Sequence, residues 1–574
     1  MKLNYLVEIT DPHTHIVKVK IQAKRPESVD HLDFFLPSWS PGSYLMREYS
    51  KNVRTVRAFN KGGEFLMLEQ KAKGIWRLDF KNSDIKNASD EFLIQYDVYC
   101  HELTVRTSHI DHSHAFLHGP SYLMGVLDQE MKDPEIEFKF PGLWSKLHTG
   151  LRDISDKRDH FLYSAENYDV LIDAPVEIGC HESDGFMHEG KEHHVIFYGD
   201  QFPHQNDLKK DMQVIVEAVS SHFKGELPYD KYLFMTHFCK DKYGGLEHLN
   251  STALQFDGRR LKNRRDYLNW LALVAHEYFH TWNVKRIRPK ELGPFDYTNE
   301  AYTRMHWLTE GLTSFMDDLL VYRAGLSTVE EYLDIVKGFI NRYISIPGKK
   351  FHSLEESSFN AWIKLYRPDE NSNNSSISYY LKGGLVFSTL HFELKRKGKS
   401  INDLLDSLWK RYLDNPEVGV VSEEVMEMIE EIGGKEVREN FEARVSTTED
   451  IDFETFYKEV GCEFVWDETP LPYIGANLNY EGDRAVIDSV TLDSPAHKAG
   501  LNAGDELIAI NRIRFLKDDF SKIEEMVSPG QTYEFVVARL GKLYNLDVRV
   551  ENRPKVLKEI KVIDKKKVES TFTS

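Results

Sequence analysis

The sequence predicts a multidomain α+β protein: an all-β N-terminal domain, a mixed and largely helical middle domain, and a compact β-rich unit near the C-terminus. Three observations carry this reading. The chain has 574 residues, more than a single hydrophobic core holds together. Short alternating apolar segments fill its opening part, whereas long helical periodicities run through 267–345 and 380–445. After residue 458 the pattern returns to short strands separated by glycine turns.

Over 1–168, Leu3–Thr10, Ile16–Ala23, Trp76–Phe80 and Glu91–Val98 alternate or run apolar between turn residues, as strands do. Within this domain Pro37-Ser38-Trp39-Ser40-Pro41-Gly42-Ser43-Tyr44 reads as a stiff Pro/Gly-rich loop, followed by Arg47. The middle domain, 169–455, carries a helical pattern over Asp207–Lys224 and a strand over Tyr232–Cys239. The acidic run Glu423–Glu431 predicts a solvated helix face. The polar run Arg367–Ser376 predicts a mobile loop. The β-rich unit spans 458–550, and the Lys-rich segment 551–574 has few apolar anchors and predicts a loosely held tail. There are no internal repeats.

Composition narrows the function. Hydrophobic residues make up 41% and charged residues 29%, as in ordinary soluble globular proteins. A formal net charge of −19 opposes a phosphate backbone and an anionic membrane alike, which argues against nucleic acid and membrane partners. No stretch approaches the ~20 apolar residues of a membrane span. Met1–Ile9 alternates like a strand and lacks the apolar core and cleavage site of a signal peptide, so the sequence predicts a cytoplasmic protein. Cys100, Cys180, Cys239 and Cys462 are scattered, without metal-ligand spacing or the density of a disulfide framework.

The sharpest chemical signal is His276-Glu277-Tyr278-Phe279-His280, at the end of the apolar run Tyr267–Ala275. Helix residues four apart lie about 40° apart around the axis and about 6 Å along it, so both imidazoles face one way and can hold one zinc ion. Glu277 falls on the adjoining face, within reach of a water beside the metal. A catalytic zinc site needs a third ligand and an open position. Glu310, in the helical pattern Trp307-Leu308-Thr309-Glu310-Gly311, is the candidate.

Trp307-Leu308-Thr309-Glu310-Gly311 resembles the Trp-Leu-x-Glu-Gly block of aminopeptidase N and its relatives. Gly244-Gly245-Leu246-Glu247-His248 resembles that group's Gly-x-Met-Glu-Asn exopeptidase block, with Leu246 and His248 in place of Met and Asn. Tyr380-Leu381-Lys382-Gly383 resembles its Tyr-x-Lys-Gly block. The segment Thr281–Pro289, the 37–44 loop and the C-terminal unit together resemble the glycyl aminopeptidase family. That resemblance implies a thermolysin-like (gluzincin) catalytic domain between an N-terminal β domain and a PDZ domain, and one Zn²⁺ per chain. It implies cleavage of the N-terminal peptide bond of peptides with a free N-terminus, and a preference for small first residues, Gly and Ala.

On this reading His276, His280 and Glu310 are the metal ligands and Glu277 is the general base. Tyr380 donates to the oxyanion; the Tyr-x-Lys-Gly register selects it over Tyr379. Glu247 pairs with the substrate's α-ammonium, on an edge strand whose Gly244 and Gly245 approach the substrate backbone. The rival readings are a zinc endopeptidase, which needs no ammonium site, and a PDZ peptide-binding protein with a relict metal site.

Two further motifs remain. Ser494–Leu501 followed by Gly504–Asn511 is a PDZ signature. Ile474, Gly475 and Ala476 stand where such a domain has its carboxylate-binding loop, which would take a C-terminal peptide beside a helix expected at Asp519–Val527. The alternative is a PDZ domain that only packs on the catalytic unit. His109, His112, His114 and His118 crowd the N-terminal domain. The His112-x-His114 spacing would suit strand ligands of a second metal, but without a helical pair the stretch reads as a hydrogen-bonded surface cluster or as a contributor to the substrate cleft.

Overall fold

The computed structural model describes residues 1–573 apart from 28, 82–89, 158, 203 and 517–521. The chain divides into two compact units, one comprising 1–303, 316–326 and 405–422, the other 304–315, 327–404 and 423–574. Among the described residues, no helix is long and apolar enough to cross a membrane.

The first unit opens as the alternation predicts. Asn4–Glu8, Ile16–Lys24 and Glu91–Tyr99 are neighbours in an eight-stranded sheet. Every second residue of Ile16–Lys24 turns inward, so Val17, Val19 and Ile21 join Phe34, Ile94 and Tyr96 in one core. Strand Val176–Gly179 pairs with His114–Leu117, which keeps the chain within the N-terminal sheets to Gly179.

A second sheet of the same unit positions the site. Its five strands run in the order Glu182–His188, Lys191–Gly199, Lys231–Phe238, Ser251–Phe256 and Tyr243–Glu247, which leaves Tyr243–Glu247 at the edge. Helix Arg264–Phe279 packs on the last two of these strands. Asn263 caps it by accepting from Asp266 N. Nearly every residue from Tyr267 to Phe279 is buried, so this stretch reads as a continuous apolar run instead of a one-sided stripe.

The second unit is helical and then β-rich. Val329–Ser345 and Leu354–Phe359 each start with a complete capping box, Thr328 with Glu331 and Ser353 with Glu356. Helix Ser422–Gly433 buries Val425, Met426 and Ile429 and turns its glutamates outward, the solvated face expected of the acidic run. The C-terminal sheet orders Ala476–Glu481, Arg484–Val490, Glu506–Ile510, Thr532–Arg539 and Lys542–Arg549 around Ile487, Leu507, Phe535 and Val537.

Three expectations are corrected here. The loosely held tail is instead anchored: Val556–Val562 pairs with Cys462–Asp467, and helix Lys565–Phe572 buries Phe572 completely. Sparse apolar residues misled because backbone pairing does the anchoring. The polar run 367–376 contains a short helix, Ser372–Ser375, whose Asn374 donates to Val490 O and accepts from Leu492 N. Of the helix expected at Asp519–Val527, residues 519–521 lie outside the described residues, and the remainder holds only a 3-10 turn at Ile523–Glu525.

Candidate metal centre and substrate site

In the first unit, His276 and Glu277 lie in the last turn of helix Arg264–Phe279, and His280 is its C-cap. The fit to a metal rests on the ring nitrogens. His276 Nδ1 lies 3.0 Å from Asp317 Oδ2, and His280 Nδ1 lies 2.6 Å from the carbonyl of Asn283. The Asn283 carbonyl only accepts, and the Asp317 carboxylate accepts in its ionised form; with these partners each Nδ1 carries the proton and each Nε2 keeps its lone pair. Two neutral imidazoles so oriented, one helical turn apart, are what a zinc ion takes from a His pair.

The edge strand brings the remaining groups to this helix end. Residues two apart on a strand share a face, so Gly245 and Glu247 look the same way. A Cβ built on Gly245 would run into the Glu277 carboxylate, so that face is the one covering Glu277. Glu247, Glu277 and His280 each offer a ligand-type atom, and these lie within 4.8 Å of one another. Glu247 is 4% exposed, and its carboxylate also lies against Gly42, whose φ of +83° and missing Cβ let the Pro/Gly-rich loop come this close. Arg106 fixes the strand by donating to Gly245 O at 3.0 Å. Asp173 holds its end, accepting from Leu249 N at 2.7 Å, Lys285 Nζ at 2.8 Å and His248 Nδ1 at 3.3 Å. Burial alone would raise the Asp173 carboxyl, but Lys285 and His248 hold it at about 2. Beside Glu247 opens a hollow of about 130 Å³, walled by Trp39, Tyr44, Val284, Phe295 and Tyr297.

Replacing Gly245 by Ala tests this arrangement, because its backbone torsions do not require glycine and only space is at stake. We expect metal content and melting temperature close to wild type and kcat lowered by up to about 10²-fold, since a displacement near 1 Å can cost that much. Steady-state kinetics with metal analysis on the same preparation provides the check.

In the second unit, Glu310 lies in a single turn of π-helix, Trp307–Gly311, and is 2% exposed. Irregular turns of this kind concentrate at functional sites. Tyr380 lies in the first turn of helix Tyr379–Arg396. The glycines of the two motifs meet: a Cβ on Gly311 would stand 2.9 Å from Gly383 Cα, and one on Gly383 would stand 2.7 Å from Gly311 Cα. The turn carrying Glu310 and the turn carrying Tyr380 therefore pack backbone to backbone. Tyr379 is fully buried, with ring centroids 4.8 Å from Tyr380 and 5.1 Å from His306. Tyr380 is half-buried. Burial and then the Glu310 carboxylate push its hydroxyl well above the usual phenol range, so it stays a donor. Lys382 has a structural place: it is buried, donates to Thr447 O at 3.0 Å, and is held down at about 8 by that burial.

The C-terminal β-rich unit carries a groove of about 620 Å³ lined by Tyr473, Ala476, Leu478, Ile523 and Arg553. Of the three residues expected there, Ala476 lines it. Ile474 turns its side chain into the domain core, and Gly475 makes a left-handed turn at φ +72° between them.

Sequence reasoning missed Asp317, Asp173 and Arg106. Asp317 alone left a trace, a carboxylate seven residues after Glu310 in the same helical pattern. The other two are recognisable only through contacts between distant parts of the chain.

Comparison with known proteins agrees with this layout. Residues 269–386 match the M61 glycyl aminopeptidase model, 4–180 the N-terminal domain of the M61 peptidases, and 472–550 a PDZ domain. The crystal structure of an aminopeptidase N family protein from Idiomarina loihiensis is 28% identical, covers all of both chains and superposes with a TM-score of 0.91. An M1 zinc metallopeptidase from Deinococcus radiodurans is 12% identical over 79% of this chain and 94% of its own, with a TM-score of 0.50, a likeness of fold. No curated protein sequence gives a match.

Proposed function

We propose, for a chain that belongs to the M61 glycyl aminopeptidase family and is a metallo-aminopeptidase, that it uses zinc to hydrolyse the N-terminal peptide bond of peptides and favours small first residues, Gly and Ala. The observation that carries the aminopeptidase reading is the buried Glu247 carboxylate within 4.8 Å of the base Glu277 and of His280. An endopeptidase has no use for a second carboxylate there. The size preference rests on the family resemblance, and a panel of aminoacyl anilides differing in the first side chain measures it.

His276, His280 and Glu310 would hold the zinc, two imidazoles and one carboxylate, the donor set of a catalytic site with an open position. Zinc held there supplies Lewis acidity, toward water and toward the carbonyl under attack. Glu277 takes the proton of the attacking water and delivers it to the leaving amine. Tyr380 donates to the oxygen on which negative charge develops. Glu247 accepts from the substrate's α-ammonium, which sets the first peptide bond against the base. Internal bonds bring no ammonium and leave Glu247 buried without its partner, a costly state. For the PDZ groove, a peptide C-terminus is the occupant that suits the Tyr473–Ala476 turn.

The ammonium contact gives a selective test. Glu247→Ala should lower kcat/KM for a glycyl anilide about tenfold to a hundredfold, the ~1.5–3 kcal/mol of a hydrogen bond to a charged group. The N-acetyl anilide has no ammonium, so the wild type should cleave it poorly and the substitution should add little. Equal wild-type rates on the two substrates would sink the exopeptidase reading and leave zinc hydrolysis standing.

A further inference from the structure

The histidine-rich stretch of the N-terminal domain is not the surface cluster that its composition suggests. His109–Ile110 and His114–Leu117 form a hairpin, with Phe116 opposite His109 and Ala115 opposite Ile110. The Asp111 carboxylate staples the turn between them, accepting from Ser113 N at 2.7 Å, from His114 N at 3.3 Å and from Ser113 Oγ. That aims the carboxylate back across the hairpin. His109, Asp111 and His114 each present one ligand-type atom, all within 4.8 Å of one another. His109 Nε2 and Asp111 Oδ2 are 3.2 Å apart, close to the ~3.4 Å between two ligands of a tetrahedral ion with bonds of ~2.0–2.1 Å. His112, singled out by spacing, lies elsewhere and stacks on His13.

His114 is the decisive residue. It is fully buried, and its Nδ1 lies 2.7 Å from Glu177 Oε1. Glu177 is fully buried between two imidazoles, and a carboxylate facing them accepts from both. Its other oxygen takes His237 Nε2 at 2.9 Å. Nδ1 of His114 therefore carries the proton and Nε2 the lone pair. The Tyr198 ring, stacked at 3.5 Å, holds the imidazole in place. Nε2 is buried with no hydrogen-bond partner. A carboxylate behind an imidazole whose far nitrogen is buried and unsatisfied is the arrangement that surrounds metal-ligating histidines.

We propose that His109, Asp111 and His114 form a second metal site, for a divalent first-row transition ion such as Zn²⁺, with Glu177 orienting His114 from behind. Two imidazoles and one carboxylate select such an ion over Mg²⁺ or Ca²⁺, which prefer all-oxygen sets. The Asp111 side chain is 28% exposed, which gives the ion its way in and leaves room for water in the remaining position. The role is structural. Glu177 also bonds His237 of the catalytic-domain strand Lys231–Phe238, so an ion on His114 would stiffen the hairpin against that sheet.

The test is metal stoichiometry on the full chain, stripped with chelator and dialysed against zinc in excess Mg²⁺. Two equivalents are expected for the wild type and one for His114→Gln. The double variant His276→Ala/His280→Ala should also keep one equivalent, which adding His114→Gln should remove, so this site and the catalytic one fail independently. Asp111→Asn, at the exposed end, guards against misfolding: it should weaken the second equivalent about tenfold or more while peptidase activity at saturating zinc stays at the wild-type level. A single equivalent in the wild type, none in the double variant, or two in His114→Gln would each overturn the proposal.

Discussion

Glu277→Gln should leave a folded, zinc-replete protein whose kcat has fallen by about 10²–10⁴, the range that a positioned general base contributes. The substitution is nearly isosteric, so the 5% exposed side chain keeps its place over Gly245. The imidazoles keep their Nδ1 anchors on Asp317 and on Asn283 O. What disappears is the capacity to take a proton, because an amide oxygen at neutral pH accepts a hydrogen bond and nothing more. Metal content separates this outcome from a damaged site. Near-normal turnover with a full complement of zinc would remove Glu277 from the base role.

What the sequence discloses about this site is what is written locally. His276, Glu277 and His280 follow from helix geometry, because four residues bring two side chains to one face whatever surrounds them. Resemblance implies an edge strand over 244–248, and the sheet order has Tyr243–Glu247 at the edge, with His248 just beyond it. What could not be read is held by contacts between remote segments: Asp173 on the end of the edge strand, Gly42 under Glu247, Asp317 behind His276. No periodicity encodes those. The C-terminal segment failed for a related reason. Backbone pairing of Val556–Val562 carries no compositional mark, and a Lys-rich strand reads as tail until its partner Cys462–Asp467 is known. The histidine hairpin shows the reverse error, where polar composition suggested surface and the fold buries His114 completely.

Tyr380→Phe should lower kcat by about 10²–10³ with a smaller change in KM, the signature of a donor that engages mainly in the transition state. The choice between the two adjacent tyrosines is structural as well as a matter of register. Tyr379 is fully buried and lies between His306 and Tyr380, so its ring is committed to packing. Tyr380 retains exposed surface, and its turn is pressed against the turn carrying Glu310 by the contact between Gly383 and Gly311. Its hydroxyl, raised by burial and by that carboxylate, keeps its proton across the working pH range, as an oxyanion donor must. Tyr379→Phe removes a hydroxyl from a packed ring and should cost far less in kcat, with any effect appearing in the melting temperature. Steady-state kinetics on the two single variants decides the matter. If the Tyr379 variant lost the larger factor, the donor would sit one residue earlier, and the Glu310 turn would be serving the metal without a tyrosine partner at Tyr380.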